Sequence, residues 1–93
     1  MRCTVKDNQA EGRYELEEAG QVAFARYHRM GDILYIDHVQ APAALQGTGT
    51  AGRLMQGMME HIHSEGCKVV PVCSYAAAWL ARHAEFDECI AHP

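Results

Sequence analysis

Residues 33–52 read ILYIDHVQAPAALQGTGTAG, and this stretch decides the fold. Its first part, residues 33–39, is so dense in β-branched and aromatic side chains that it predicts a central strand buried on both faces. Its last part, residues 46–52 (QGTGTAG), is a glycine-rich loop that opens a helix. From there Leu54, Met55, Met58, Met59 and Ile62 recur at helical spacing as far as Glu65, and Gly66 is placed to cap the C-terminal end. A core stripe is the simplest role for these methionines.

Working outward, residues 67–73 (CKVVPVC) predict a buried strand, which a strand–helix–strand unit makes parallel to residues 33–39. Ser74 is read as the cap of a last helix over residues 75–83, anchored by Trp79 and Leu80, after which Phe86 and Ile90 fold back onto the sheet. On the other side, Arg13–Glu18 and residues 21–28 predict antiparallel strands joined by a turn at Glu18-Ala19-Gly20, and Met30-Gly31-Asp32 supplies the next turn. A further short strand is expected around residues 3–6. The fold class is therefore mixed α/β (α+β): antiparallel N-terminal strands, a strand–helix–strand unit and a C-terminal helix, in one domain over residues 1–93.

Composition narrows the partners. The 93 residues are 48% hydrophobic and carry eight basic against twelve acidic residues, a net charge of −4 with no basic stripe, which argues against nucleic acid. No apolar run approaches the roughly 18 residues that spanning a membrane takes. Cys3, Cys67, Cys73 and Cys89 form no CxxC pair and follow no secretory pattern, so reduced thiols in a cytoplasmic protein are expected. Cys3, Cys67 and Cys89 are read as inert. The acidic residues Glu11, Glu15, Glu17 and Glu18 read as a solvated face. His61 and His63, two apart on a helix, point in different directions and make no metal pair, and no metal is expected.

Three templates fit the loop, and all three are phosphate binders. Gly47, Gly49 and Gly52 satisfy G-x-G-x-x-G, but antiparallel strands precede the motif, and Val72 and Cys73 stand where an acidic residue would meet a dinucleotide's ribose. Forced onto the P-loop pattern, the loop places Arg53 and Leu54 where Lys and a hydroxyl residue are required. The pattern [Q/R]-x-x-G-x-[G/A] is met in register by Gln46, Gly49 and Ala51. Residues Gln46, Gly47, Thr48, Gly49, Thr50, Ala51 and Gly52 would then present successive backbone N–H groups to a pyrophosphate at the positive end of the helix dipole.

With strand, loop and helix in this order, the chain resembles the GNAT superfamily of acetyl-CoA-dependent N-acetyltransferases, in its small single-domain branch. The resemblance rests on His38-Val39-Gln40-Ala41-Pro42, Leu45-Gln46-Gly47-Thr48-Gly49, Pro71-Val72-Cys73-Ser74-Tyr75 and Arg82-His83-Ala84-Glu85-Phe86, and covers most of the chain from Ile33 onward. Val39 and Gln40 depart from a Thr-Glu pair in that branch's pattern, so a base at the Glu position is missing here. Ala43 and Ala44 replace residues that are usually Pro or acidic.

The resemblance implies acetyl-CoA as donor, held between two splayed parallel strands with its pyrophosphate on the loop, and a primary amine as acceptor. A backbone N–H at Val39 or Gln40 would serve the developing oxyanion. His38 is read either as the base for the amine or as a hydrogen-bonded structural histidine. Cys73, just before a helix whose dipole favours a thiolate, is read as an acetyl-accepting nucleophile, a proton donor to the CoA thiolate, a lining residue or a buried inert thiol. Tyr75 is read as a proton donor to that thiolate or as packing. Larger superfamily members wall the acceptor site with helices for which this length leaves no room. That implies an open cleft, suited to an amine on a larger molecule or completed in a homodimer. The competing class is a non-catalytic CoA or acyl-CoA binding module.

Overall fold

The computed structural model describes residues 5–91. Five strands follow the chain order across one sheet: β1 (Val5–Asn8), β2 (Arg13–Glu18), β3 (Gln21–Met30), β4 (Ile33–Gln40) and β5 (Lys68–Pro71). The first four are antiparallel neighbours, and β5 runs parallel to β4 with Ile33 opposite Lys68 and Ile36 opposite Pro71. Helix α1 (Thr50–Ser64) is the crossover between them, and α2 (Ser74–Ala81) follows β5. This is the mixed sheet with antiparallel and strand–helix–strand parts that the sequence predicts.

Both helices lie on one face of the sheet. Tyr14 and Leu16 of β2, Ala23 and Ala25 of β3, and Leu34 and Ile36 of β4 form one buried cluster with the apolar stripe of α1 and with Trp79 and Leu80 of α2. The alanines at the middle of β3 let α1 settle close to the sheet, since a small side chain leaves room for Leu54, Met55, Met58 and Met59 above it. Burial strips the phenols of Tyr14 and Tyr27 of water and pushes their pKa up, with a further contribution from Asp7. α1 ends in a paired C-terminal motif: Gly66 (φ 73°) donates to His63 O and Cys67 N to Ile62 O, which satisfies carbonyls that the helix leaves open. Phe86 and Cys89 close the core from a 3-10 segment, Ala84–Cys89, and Ala91 N donates to Val69 O, tying the tail to the sheet.

Several boundaries differ from the sequence reading. β4 is neither central nor doubly buried: β3 holds the centre, and only Leu34 and Ile36 of β4 are fully buried, because no helix covers the second face. The strand read at residues 67–73 shortens to Lys68–Pro71 and has a single strand partner, so Lys68 and Val72 are exposed. Ser74 does not cap α2; Cys73 occupies the cap position without a side-chain bond, and Ser74 is the first helical residue. β3 continues to Met30. β1 begins at Val5, while Cys3 lies outside the described residues. Among the described residues no helix is long and apolar enough to cross a membrane.

Leu54 is fully buried under the sheet. Leu54→Ala is expected to lower unfolding stability by ~2–5 kcal/mol, read as a reduced midpoint in urea with an unchanged slope.

Candidate active site

The parallel ladder between β4 and β5 stops at Ile36. Its carbonyl accepts both Val72 N at 3.0 Å and Cys73 N at 2.9 Å, after which the chain turns away into α2 while β4 runs on to Gln40 paired only with β3. The result is a gap in the pairing of the sheet, flanked by residues 37–40 of β4 on one side and by Cys73 and the start of α2 on the other. The loop enters from the same end, because it follows β4 directly. The first turn of α1 meets α2 there: a Cβ built on Gly52 would stand 3.7 Å from Trp79 Nε1 and 4.0 Å from Tyr75 OH.

Within β4 the register with β3 shifts, Arg26 facing His38 but Tyr27 facing Ile36, so Asp37 is the extra residue of a bulge. The bulge changes which side chains face the core. Leu34 and Ile36 point inward, His38 and Gln40 are exposed, and Val39 packs against the core. His38 Nε2 lies 3.0 Å from Gln40 Oε1; that oxygen accepts, so Nε2 donates, and no partner among the described residues bonds Nδ1. No hydrogen bond among the described residues joins His38 to Cys73 or Tyr75. His38 stands on the open face, Cys73 packs against the core from the helix side, and the hydroxyl-bearing ring of Tyr75 is 37% exposed.

The loop is shaped by left-handed backbone at Gly47 (φ 83°) and Gly49 (φ 85°), conformations that L side chains resist. At Gly49 a Cβ would also press within 3.1 Å of Arg53 Nη1. Gly49 is the cap of α1 and bonds no side chain; the first backbone bond of the helix is Arg53 N to Gly49 O. Among the described residues, no acceptor faces the N–H groups of Thr50, Ala51 or Gly52, a donor set that suits an anion at a helix start. The residues present therefore fit a pyrophosphate. The side-chain amide of Gln46 donates to Ala41 O at 3.2 Å and braces the loop's entry.

Glu18, read from sequence as part of a solvated acidic face, instead holds the loop. Its carboxylate accepts from buried Thr50 Oγ1 at 2.6 Å, and from Arg53 Nε at 2.7 Å and Nη2 at 2.8 Å. Arg53 Nη2 also reaches Thr48 O, and Thr48 Oγ1 donates to Leu45 O. Glu15 likewise is engaged, with Arg13 at 2.6 Å, whereas Glu11 and Glu17 are exposed as read. A second pair unforeseen in the sequence is His28 with Asp37. Nδ1 of His28 donates to Asp37 Oδ2 at 2.7 Å, and the imidazole stacks on Tyr35. Both arrangements depend on cross-strand register and on the bulge, which leave no local signature. Among the described residues no His, Cys, Asp and Glu group is arranged to hold a metal ion.

Comparison with known proteins extends this picture. The family described as GCN5-related N-acetyl-transferase matches residues 13–89. The uncharacterized N-acetyltransferase YjhQ of Escherichia coli strain K12 is 34% identical over 82 residues, which is 83% of this chain but 44% of that protein, so the chain spans less than half of that curated relative. The solution structure of a GCN5-like protein from Staphylococcus aureus matches with a TM-score of 0.67 over 99% of this chain and 91% of that one. At 20% identity this is a likeness of fold.

The bonds from Arg53 and then Thr50 hold the Glu18 carboxyl at about 2, below its ordinary 4.5. A depressed carboxylate contributes stability that is present above the ordinary value and is lost as the pH falls toward the folded one. The melting temperatures of the wild type and of Glu18→Gln are thus expected to differ at pH 7 and to converge between about pH 4.5 and pH 2, as read by thermal denaturation across that range.

Proposed function

The chain belongs to the GCN5-related N-acetyltransferase family, and on that premise we propose that it transfers an acetyl group from acetyl-CoA to a primary amine. The observation that carries this reading is the gap between β4 and β5 beyond Ile36, with a loop of unpartnered helix-start N–H groups at its mouth. A pantetheine arm is narrow and extended, and the gap offers it the unpaired edge of β4. The loop then takes the pyrophosphate through the N–H groups of Gly47, Gly49, Thr50, Ala51 and Gly52, with Gln46 and Thr48 bracing its backbone. The hydrophobic cluster that joins the sheet to both helices supports treating the described residues as one minimal domain.

In the proposed reaction the amine nitrogen attacks the thioester carbonyl carbon, the C–S bond breaks, and an amide and a CoA thiol result. An N–H of Val39 or Gln40, on the stretch of β4 beyond its pairing with β5, stabilises the charge that builds on the carbonyl oxygen. His38, with Nδ1 open, takes the proton from the nitrogen on the open face. Cys73 and Tyr75, on the helix side of the gap, are placed to return a proton to the departing thiolate. Transfer is direct in this scheme, and Cys73 carries no acetyl group.

Acetyl-CoA and CoA, but not NAD, are expected to raise the melting temperature; a ligand at 100 times its Kd adds about 2.7 kcal/mol. Stabilisation by NAD alone would overturn the assignment. Given a competent amine, His38→Gln should lower CoA release about a hundredfold while the acetyl-CoA shift persists. Binding without release for any amine would mark a CoA-binding module instead, and an added 42-dalton-class acetyl mass that disappears in Cys73→Ser would replace direct transfer with a covalent route.

A further inference from the structure

The face of the sheet that no helix covers carries an arrangement that the acetyl-transfer scheme does not use. Arg13 of β2 and Arg26 of β3 are directly opposed in register. Like charges at such a pair repel, and both guanidiniums nevertheless lie on the same ring, Arg13 Cζ 4.8 Å and Arg26 Cζ 5.4 Å from the centroid of Phe24. Their compensation is unequal. Arg13 meets Glu15 at 2.6 Å, and that carboxylate, which also accepts from Asn8 at 3.1 Å, is held below its ordinary range first by the Arg13 bond. Among the described residues no carboxylate pairs with Arg26, which is exposed.

Arg26 also has a definite position relative to the reaction. Its direct partner across the β3–β4 register is His38, and the His38 ring lies 6.3 Å from that of Phe24. Both groups border Phe24, with Arg26 Cζ 5.4 Å and the His38 ring 6.3 Å from its centroid, so a group held by Arg26 lies on the same patch of the open face as His38.

We propose that the acceptor amine carries a carboxylate or phosphate a few bonds from its nitrogen, and that Arg26, opposed to Arg13 across Phe24, binds it. This rests on the reading of His38 as the face from which the amine approaches. A guanidinium fork donates two parallel N–H bonds to such an oxyanion, and Phe24 supports the Arg26 fork from 5.4 Å on the open face. An anion there also removes the repulsion between two cations that the fold otherwise leaves with one counter-charge. Local conflicts of this kind concentrate where a protein binds something. Two guanidiniums with no longer basic stripe around them suit one small anionic group instead of a polyanion.

The test compares matched amines with the full chain and acetyl-CoA: ω-amino acids against the corresponding alkylamines, and phosphoethanolamine against ethanolamine. CoA release with the charged member of at least one pair should show a kcat/KM about tenfold to a hundredfold above its neutral counterpart. Whether the favoured pair is the carboxylate or the phosphate one identifies the group. Arg26→Ala should bring that ratio close to one, chiefly through KM, and Arg26→Lys should keep part of it. Equal or better use of the neutral amines by the wild type overturns the proposal while leaving acetyl transfer intact. If no amine is turned over, propionate and inorganic phosphate are titrated against the Phe24 and His38 ring signals by NMR. A saturable shift that disappears in Arg26→Ala supports the anion site, and its absence in the wild type refutes it.

Discussion

One carbonyl organises this molecule. Ile36 O receives two N–H groups, from Val72 and Cys73, and these are the last bonds between β4 and the chain leaving β5. Beyond that point the two strands have nothing to hold them parallel, and each follows other partners: β4 stays with β3, and the chain after β5 enters α2. The gap between them follows from that termination. The loop and both helix starts then fall at its mouth because both strands point the same way.

The bulge at Asp37 makes the termination usable. Strict alternation from Leu34 and Ile36 would send the His38 side chain toward α2 and the core, where an imidazole without partners is costly. With one extra residue the core takes Val39 instead, and His38 and Gln40 pass to the open face. The adjacent polar pair Asp37-His38, between Ile36 and Val39, is the trace of this in the sequence. Asp37 is not idle there, since it orients His28 across the strand pair.

The parts of the fold governed by local patterning were legible in the sequence. The hairpin turn at Ala19-Gly20, the apolar stripe of α1 and its end at Gly66 each depend on a few neighbouring residues, and all stand where their residue types put them. The loop was legible for the same reason: glycines at Gly47 and Gly49 answer a local need for positive φ. What failed involved the third dimension. Hydrophobic density at residues 33–39 implied burial on both faces, and only the placement of both helices on one side leaves Ile33 and Tyr35 half-buried on a face that no helix covers. Glu18 looked like any acid in the run Glu15 to Glu18, and nothing near it in sequence points to Thr50 and Arg53. Arg26 and His38 were separate polar residues on different strands until the register made them partners.

The bond between Glu18 and the loop spans 32 residues of chain and joins the β2–β3 turn to the first turn of α1. Thermodynamic coupling between two such places runs equally in both directions. What displaces Glu18 in the hairpin also frees Thr50 and Arg53 at the start of α1, and what shifts those two residues loosens the hairpin in turn. Ala19, held at a positive φ of 52° beside Glu18, sits at the far end of this linkage.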